Sequence, residues 1–122
     1  MSKTYSIQAA LRALSDETRL RMLALVLQQE CCVCEVTQAL DISQTRASRN
    51  LGILEDAGFL KSRREGKWMY YSLRDELGNT SVAMLLEVTK YFSRTSPTCR
   101  QDKKRLKKAI KMGHNCVSNK NN

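Results

Sequence analysis

The chain has 122 residues, with 21 Lys+Arg against 12 Asp+Glu and a formal net charge of +9. That length fits a single domain with a modest core, which dimerisation would help to complete. No run of roughly eighteen apolar residues is present, which excludes a transmembrane helix. The opening Met1-Ser2-Lys3-Thr4-Tyr5-Ser6 holds no signal-peptide core, so a cytoplasmic protein without membrane association is expected.

Residues 6–14 place Ile7, Ala10, Leu11 and Leu14 at helical spacing. Ser15-Asp16 caps a second helix with Leu20, Leu23, Ala24 and Leu27 on one face. Val33, Val36 and Leu40 give a short third helix, which Asp41-Ile42-Ser43 breaks. Ser43 caps a fourth helix running to about Ala57, with Ala47, Leu51 and Leu54 inward and Gly58 as its stop. The period then changes to two: Leu60–Arg64 and Lys67–Leu73 read as strands joined by a tight turn at Glu65-Gly66. Trp68, Tyr70 and Tyr71 are expected to pack this hairpin onto the helices. Ser81 opens a fifth helix carrying Val82, Met84, Leu85, Leu86, Val88 and Phe92. It is apolar around too much of its circumference for a lone surface helix, so a second face is expected against another chain. The fold class is mainly α with a β-hairpin.

Charge is unevenly placed. Residues 99–122 hold eight basic groups and one acid, a net of +7, which leaves the first 98 residues at +2. Pro97, the only proline, marks the shift. We therefore expect a domain over residues 1–96 and a basic C-terminal tail over 97–122, either a solvated helix or a flexible arm, partly disordered at its Asn-rich end.

Residues 33–57 have the layout of a helix-turn-helix. The second helix shows Gln44, Thr45, Ser48 and Arg49 on its outer face with Arg46 on the flank, all within two turns of Ser43. Short hydrogen-bonding side chains and arginines near a helix start suit insertion into a DNA major groove. The free N–H groups at Ser43 suit phosphate. Lys61, Arg63, Arg64 and Lys67 then place long basic side chains around the hairpin, as in the wing of a winged helix. A polar helix face alone is the ordinary solvated side of a helix. The ordered set of capped helix, glycine stop and basic hairpin is what singles out double-stranded DNA as partner.

Three blocks carry a resemblance: Leu14-Ser15-Asp16-Glu17-Thr18-Arg19-Leu20-Arg21-Met22-Leu23, Ser43-Gln44-Thr45-Arg46-Ala47-Ser48-Arg49-Asn50-Leu51 and Arg63-Arg64-Glu65-Gly66-Lys67-Trp68-Met69-Tyr70-Tyr71. Together they resemble the ArsR/SmtB metalloregulators, in the family's order, over roughly residues 5–95. The resemblance implies a homodimeric winged helix-turn-helix repressor that binds operator DNA, with the first and fifth helices at the dimer interface. Asn50 departs from the His of many members, which bears on a DNA contact.

Glu30-Cys31-Cys32-Val33-Cys34-Glu35-Val36 resembles the family's arsenic-sensing motif, with Cys32 and Cys34 on its two cysteines. The family's third cysteine is replaced by Thr37, and Cys31, Cys99 or Cys116 could supply a third thiolate. The chemistry stands beside the resemblance. Thiolates select soft ions, and trivalent arsenic or antimony takes up to three sulfurs. Cysteines at a helix N-terminus have a lowered pKa. Side chains two apart on a helix point roughly 200° apart, so one ion held by Cys32 and Cys34 is expected to distort the first helical turn and move the recognition helix.

As(III) or Sb(III) is thus the expected inducer, with no organic cofactor. Other readings use the same fold: a thiol redox sensor, for which a long-range pair with Cys99 is more plausible than the strained Cys32–Cys34 ring, or a cadmium/lead sensor. Residues 81–94 offer Glu87 and no His, so the family's zinc-type site is not expected, and His114-Asn115-Cys116 lacks partners at zinc spacing. Cys99 and Arg105 have a bare Cys-x5-Arg spacing, but no glycine between them forms an anion cradle, so an enzyme is not expected.

Overall fold

The computed structural model describes residues 6–75 and 80–112. Cys116 and His114 lie outside these residues, as do the Asn-rich end and the N-terminal five residues. Helix α1 is Ile7–Leu14, capped by Ser6 through its side chain to Ala9 N. Helix α2, Glu17–Val26, is capped by Asp16, whose carboxylate accepts from Arg19 N at 3.0 Å. Five consecutive residues of α2, Met22 to Val26, are buried. It is the central helix of the core, enclosed on more sides than the single apolar face expected for it.

A two-residue strand, β1 (Cys31–Cys32), precedes helix α3 (Val33–Leu40). Helix α3 ends at Asp41, whose left-handed φ of 56° is one that Asp tolerates better than most residues. That bend makes the helix-turn-helix corner, and Ser43 then caps α4 (Gln44–Asp56) by accepting from Arg46 N. The end of α4 is a Schellman motif: Phe59 N donates to Leu54 O, Gly58 N donates to Glu55 O, and Gly58 has φ 100°. The motif delivers Phe59 and Leu60 into the core, both fully buried.

Strands β2 (Leu60–Glu65) and β3 (Trp68–Leu73) form the hairpin. Glu65 pairs with Trp68, so the loop is Gly66-Lys67, one residue later than expected, with positive φ at Gly66. The sheet order is β1-β3-β2, all antiparallel. Helix α5 is Thr80–Thr95, and helix α6 is Pro97–Met112.

Helix α5 turns Val82, Leu86, Thr89 and Ser93 inward and leaves Met84, Val88 and Tyr91 exposed. Helix α1, which contacts α5, leaves Ile7 and Leu11 exposed. This is the second apolar face that the sequence pattern calls for. Helix α6 falls in the segment read as a tail, yet it packs on α2, α3 and α5 and buries Cys99, Asp102, Leu106 and Ala109.

Candidate functional site

The start of α4 presents Ser43, Thr45, Arg46, Ser48 and Arg49 to solvent, with Gln44 half-buried beside them. Arg46 Nη2 donates to Thr18 Oγ1 at 3.0 Å, which ties this face to α2. Asn50 points the other way. It is buried, accepts from Arg19 Nη1 at 2.9 Å and donates to the Arg46 carbonyl at 2.9 Å. Arg19 also donates to the carbonyls of Ala13 and Arg12 at the end of α1. The departure at Asn50 is therefore a packing feature, joining α1, α2 and α4, and not part of the exposed polar face.

The wing divides its basic residues. Arg63 donates from Nε and Nη2 to both oxygens of Glu30, at 2.9 and 2.8 Å, and from Nη1 to Glu65. Its guanidinium also lies 4.4 Å from the centroid of the Tyr70 ring. These contacts hold the Glu30 carboxyl below its ordinary pKa. Lys61 is bonded to Asp75. Arg64 and Lys67 instead border a cleft of about 400 Å³ between the wing, the start of α3 and the start of α4. Cys32, Cys34, Gln44 and Ser48 line the same cleft.

The pairing of β1 with β3 decides where the cysteines point. Cys31 sits opposite Tyr71, and Cys32 opposite Tyr70. Neighbours on a strand face opposite sides of the sheet. Cys31 and Tyr71 accordingly join the main core, whereas Cys32 and Cys34 form a separate cluster under Trp68 and Tyr70. All three thiols are buried, and none is in a disulfide. Among the described residues, no three His, Cys, Asp or Glu side chains converge as a metal site. The structure brings Cys32 and Cys34 together and turns Cys31 away.

Two expectations about these cysteines change. Cys32 is the N-cap of α3, with extended φ −84° and ψ 160°. The opposed directions of two residues in regular helix therefore do not apply, and both thiols lie in one cluster without unwinding the turn. The cap is braced by Glu35, whose carboxylate accepts from Cys32 N at 2.8 Å. The lowered thiol pKa expected near a helix start does not hold for Cys31: burial, foremost, with Glu35 nearby, pushes it well up. Thr37, one turn on from Cys34, is buried and donates to the Cys34 carbonyl at 2.6 Å. Cys99 is buried on α6, and burial raises its pKa also.

The sequence reading missed β1, the Glu35 brace and the aromatic cover over the thiol pair. The Cys-x-x-Glu spacing was a signal for the brace, because Glu three residues after a cap is where a capping box places it. Gln44 gains a feature invisible in sequence: its Oε1 is buried without a hydrogen-bond partner.

Two capped helices joined by a sharp corner and followed by a basic hairpin define a winged helix-turn-helix. The model for "Bacterial regulatory protein, arsR family" matches residues 16–62. Over 75 residues the chain is 47% identical to the arsenic resistance transcriptional regulator ArsR1 of Pseudomonas putida, a span of 61% of this chain and 59% of that one. Over 79 residues it is 46% identical to ArsR2 of the same organism, covering 64% of this chain and 68% of the relative. The chain thus spans less than two thirds of the first of these relatives. Among solved structures it resembles the homodimeric winged helix-turn-helix DNA-binding domain of Mycobacterium bovis Mb0332, described as a possible ArsR-family regulator. The TM-score is 0.55 at 28% identity, over 80% of this chain and 94% of that one. The chain belongs to the arsR family of bacterial regulatory proteins.

Proposed function

We propose that the chain is a repressor that binds operator DNA as a homodimer and lets go when trivalent arsenic or antimony bonds to the thiolates of Cys32 and Cys34. The observation that carries this reading is the shared cleft: the thiol pair borders the same space as Gln44 and Ser48 of the recognition helix and Arg64 and Lys67 of the wing.

The donor set fits the ligand. Two sulfurs lie in one cluster beneath Trp68 and Tyr70, and sulfur donors favour soft, thiophilic centres over hard ions. Each new sulfur bond replaces an S–H and a hydroxide on the trivalent centre, and the proton leaves with that hydroxide as water. Trp68 and Tyr70 cover the pair, which limits water there, while Glu35 holds the Cys32 backbone. A ligand in this space meets the recognition helix and the wing directly, so release needs no long relay. A complete swing of the population requires about 5.5 kcal/mol of preference for the released state. For the DNA-bound state, the face from Ser43 to Arg49 suits the major groove, with Arg64 and Lys67 reaching backbone or minor groove. Arg63 joins them only by leaving Glu30. The exposed apolar residues Ile7, Leu11, Met84, Val88 and Tyr91 suit a dimer surface formed by α1 and α5.

The test is fluorescence anisotropy on DNA from directly upstream of the coding sequence. It is titrated separately with arsenite, antimonite, cadmium, zinc and peroxide, and repeated with Cys32→Ser/Cys34→Ser. Release by arsenite or antimonite that the double variant loses is the expected result. Release by peroxide alone would replace this reading with a redox sensor, and release by cadmium alone with a cadmium sensor. Release by arsenite from the double variant would sink the assignment of the thiols.

A further inference from the structure

Helix α6 carries a basic surface that the recognition helix and wing leave unused. Its inner line is fixed to the core. Asp102 is buried and takes a two-bond grip from Arg21, with Nε and Nη2 at 2.9 and 2.8 Å from its two oxygens. Leu106 and Ala109 continue that line, and Lys103 Nζ donates to the Ser93 carbonyl of α5 at 3.1 Å. The helix is therefore held at a set rotation, and its exposed cations point in definite directions.

Those cations fall into two groups. Lys104 stands opposite the buried line, and Lys107 lies on the Lys103 side of the helix, away from Arg105. Arg105 and Lys108, also exposed, lie to the α3 side and border a cleft of about 450 Å³ with Gln38 and Asp41. Asp41 forms the helix-turn-helix corner, two residues before the Ser43 cap of the recognition helix. In this motif the first helix crosses the DNA backbone while the second enters the groove. The cleft thus adjoins the part of the domain that meets phosphates.

We infer that Arg105 and Lys108 of α6 form a phosphate-binding extension of the DNA interface, gripping the operator backbone beside the end of α3. This rests on the reading of α4 and the wing as the DNA face. Two cations and the Gln38 amide outnumber the one carboxylate, Asp41, in the cleft. Arginine and lysine on phosphate position a protein without reading sequence. The extension should therefore add affinity and salt dependence and leave operator discrimination alone.

The test uses the full chain and the upstream duplex, with anisotropy affinities measured across a salt series. Two double variants remove the same charge: Arg105→Gln/Lys108→Gln and Lys104→Gln/Lys107→Gln. All four positions are exposed, and unchanged thermal melting confirms that the fold is kept. Each phosphate contact contributes about 0.9 to the slope of log K against log salt, so loss of both from each protomer of the dimer flattens it by about 3.6. The expected result is that flattening for Arg105/Lys108, with less than half of it for Lys104/Lys107. The ratio of operator to scrambled-duplex affinity should stay within about threefold. Equal flattening by both pairs would show diffuse attraction and overturn the inference, as would no flattening by either. If the unmodified chain itself fails to bind the duplex, the DNA reading falls first, and this one with it.

Discussion

Cys31 and Cys32 are adjacent in the chain and lie on opposite sides of the sheet. Cys31 faces Val36, Tyr71 and the rest of the main core, and its thiol is held in the protonated form by burial. Cys32 faces Cys34 and the rings of Trp68 and Tyr70, beside the cleft that also holds Gln44 and Ser48. The same side chain packs in the main core in one place and borders a cleft in the other. The deciding variable is strand register: one residue of slip would exchange the two. Three cysteines in four residues are thus split between one cluster and the core, and we read Cys31, one of the candidate third thiolates, as a bystander to the pair.

The sharpest way to break this comparison is to separate ligand response from stability. Cys32→Ser/Cys34→Ser should abolish arsenite-driven release of DNA, a loss of at least about a hundredfold in the inducer-dependent change of affinity, given a coupling of a few kcal/mol. Cys31→Ala should retain release. If Cys31→Ala lost release while its melting was unchanged, the bystander role would be wrong. On the core side, Leu60→Ala removes a fully buried side chain beside the wing and should cost about 2–5 kcal/mol in urea unfolding, with the thiol pair still reactive. Cys31→Ser should cost about 1–3 kcal/mol, because a hydroxyl replaces a thiol in an apolar site with only the distant Gln29 carbonyl, 3.4 Å from the native sulfur, as partner.

The smallest effect concerns Cys99. Its folded pKa is raised, above all by burial, from an unfolded value near 9.0. A group with a raised folded pKa contributes stability below its unfolded value and loses it as pH rises towards the folded one. Stability should thus decline above about pH 9, and Cys99→Ala should make that decline shallower. Urea midpoints across the alkaline range measure the difference, and an identical slope in the variant would contradict it.

Much of the fold was legible locally. Asp16 and Ser43 announce helix starts by their own hydrogen bonds, and Gly58 announces a stop because its φ of 100° disfavours a side chain. The exposed face of α4 could be read because helical period fixes which residues share a side. Strand β1 could not be read, because two residues have no period. Its direction comes from pairing with Tyr70 and Tyr71, almost forty positions away. The packing of helix α6 was hidden by its own charge. Its buried line runs through Asp102, and an acid on that line reads as surface until its partner Arg21, 81 residues earlier, is placed.

The sequence by itself therefore determined helices α1 to α5, the basic hairpin, the polar residues from Ser43 to Arg49 at the start of α4 and the presence of a thiol motif. These depend on neighbours within a few residues. Only the tertiary structure decided that Cys32 pairs with Cys34 and leaves Cys31 in the core. It also turned Asn50 inward and packed the charge-rich end as a helix against α3. Each of these is set by a contact between distant parts of the chain, where burial and a specific partner override what the residue type suggests.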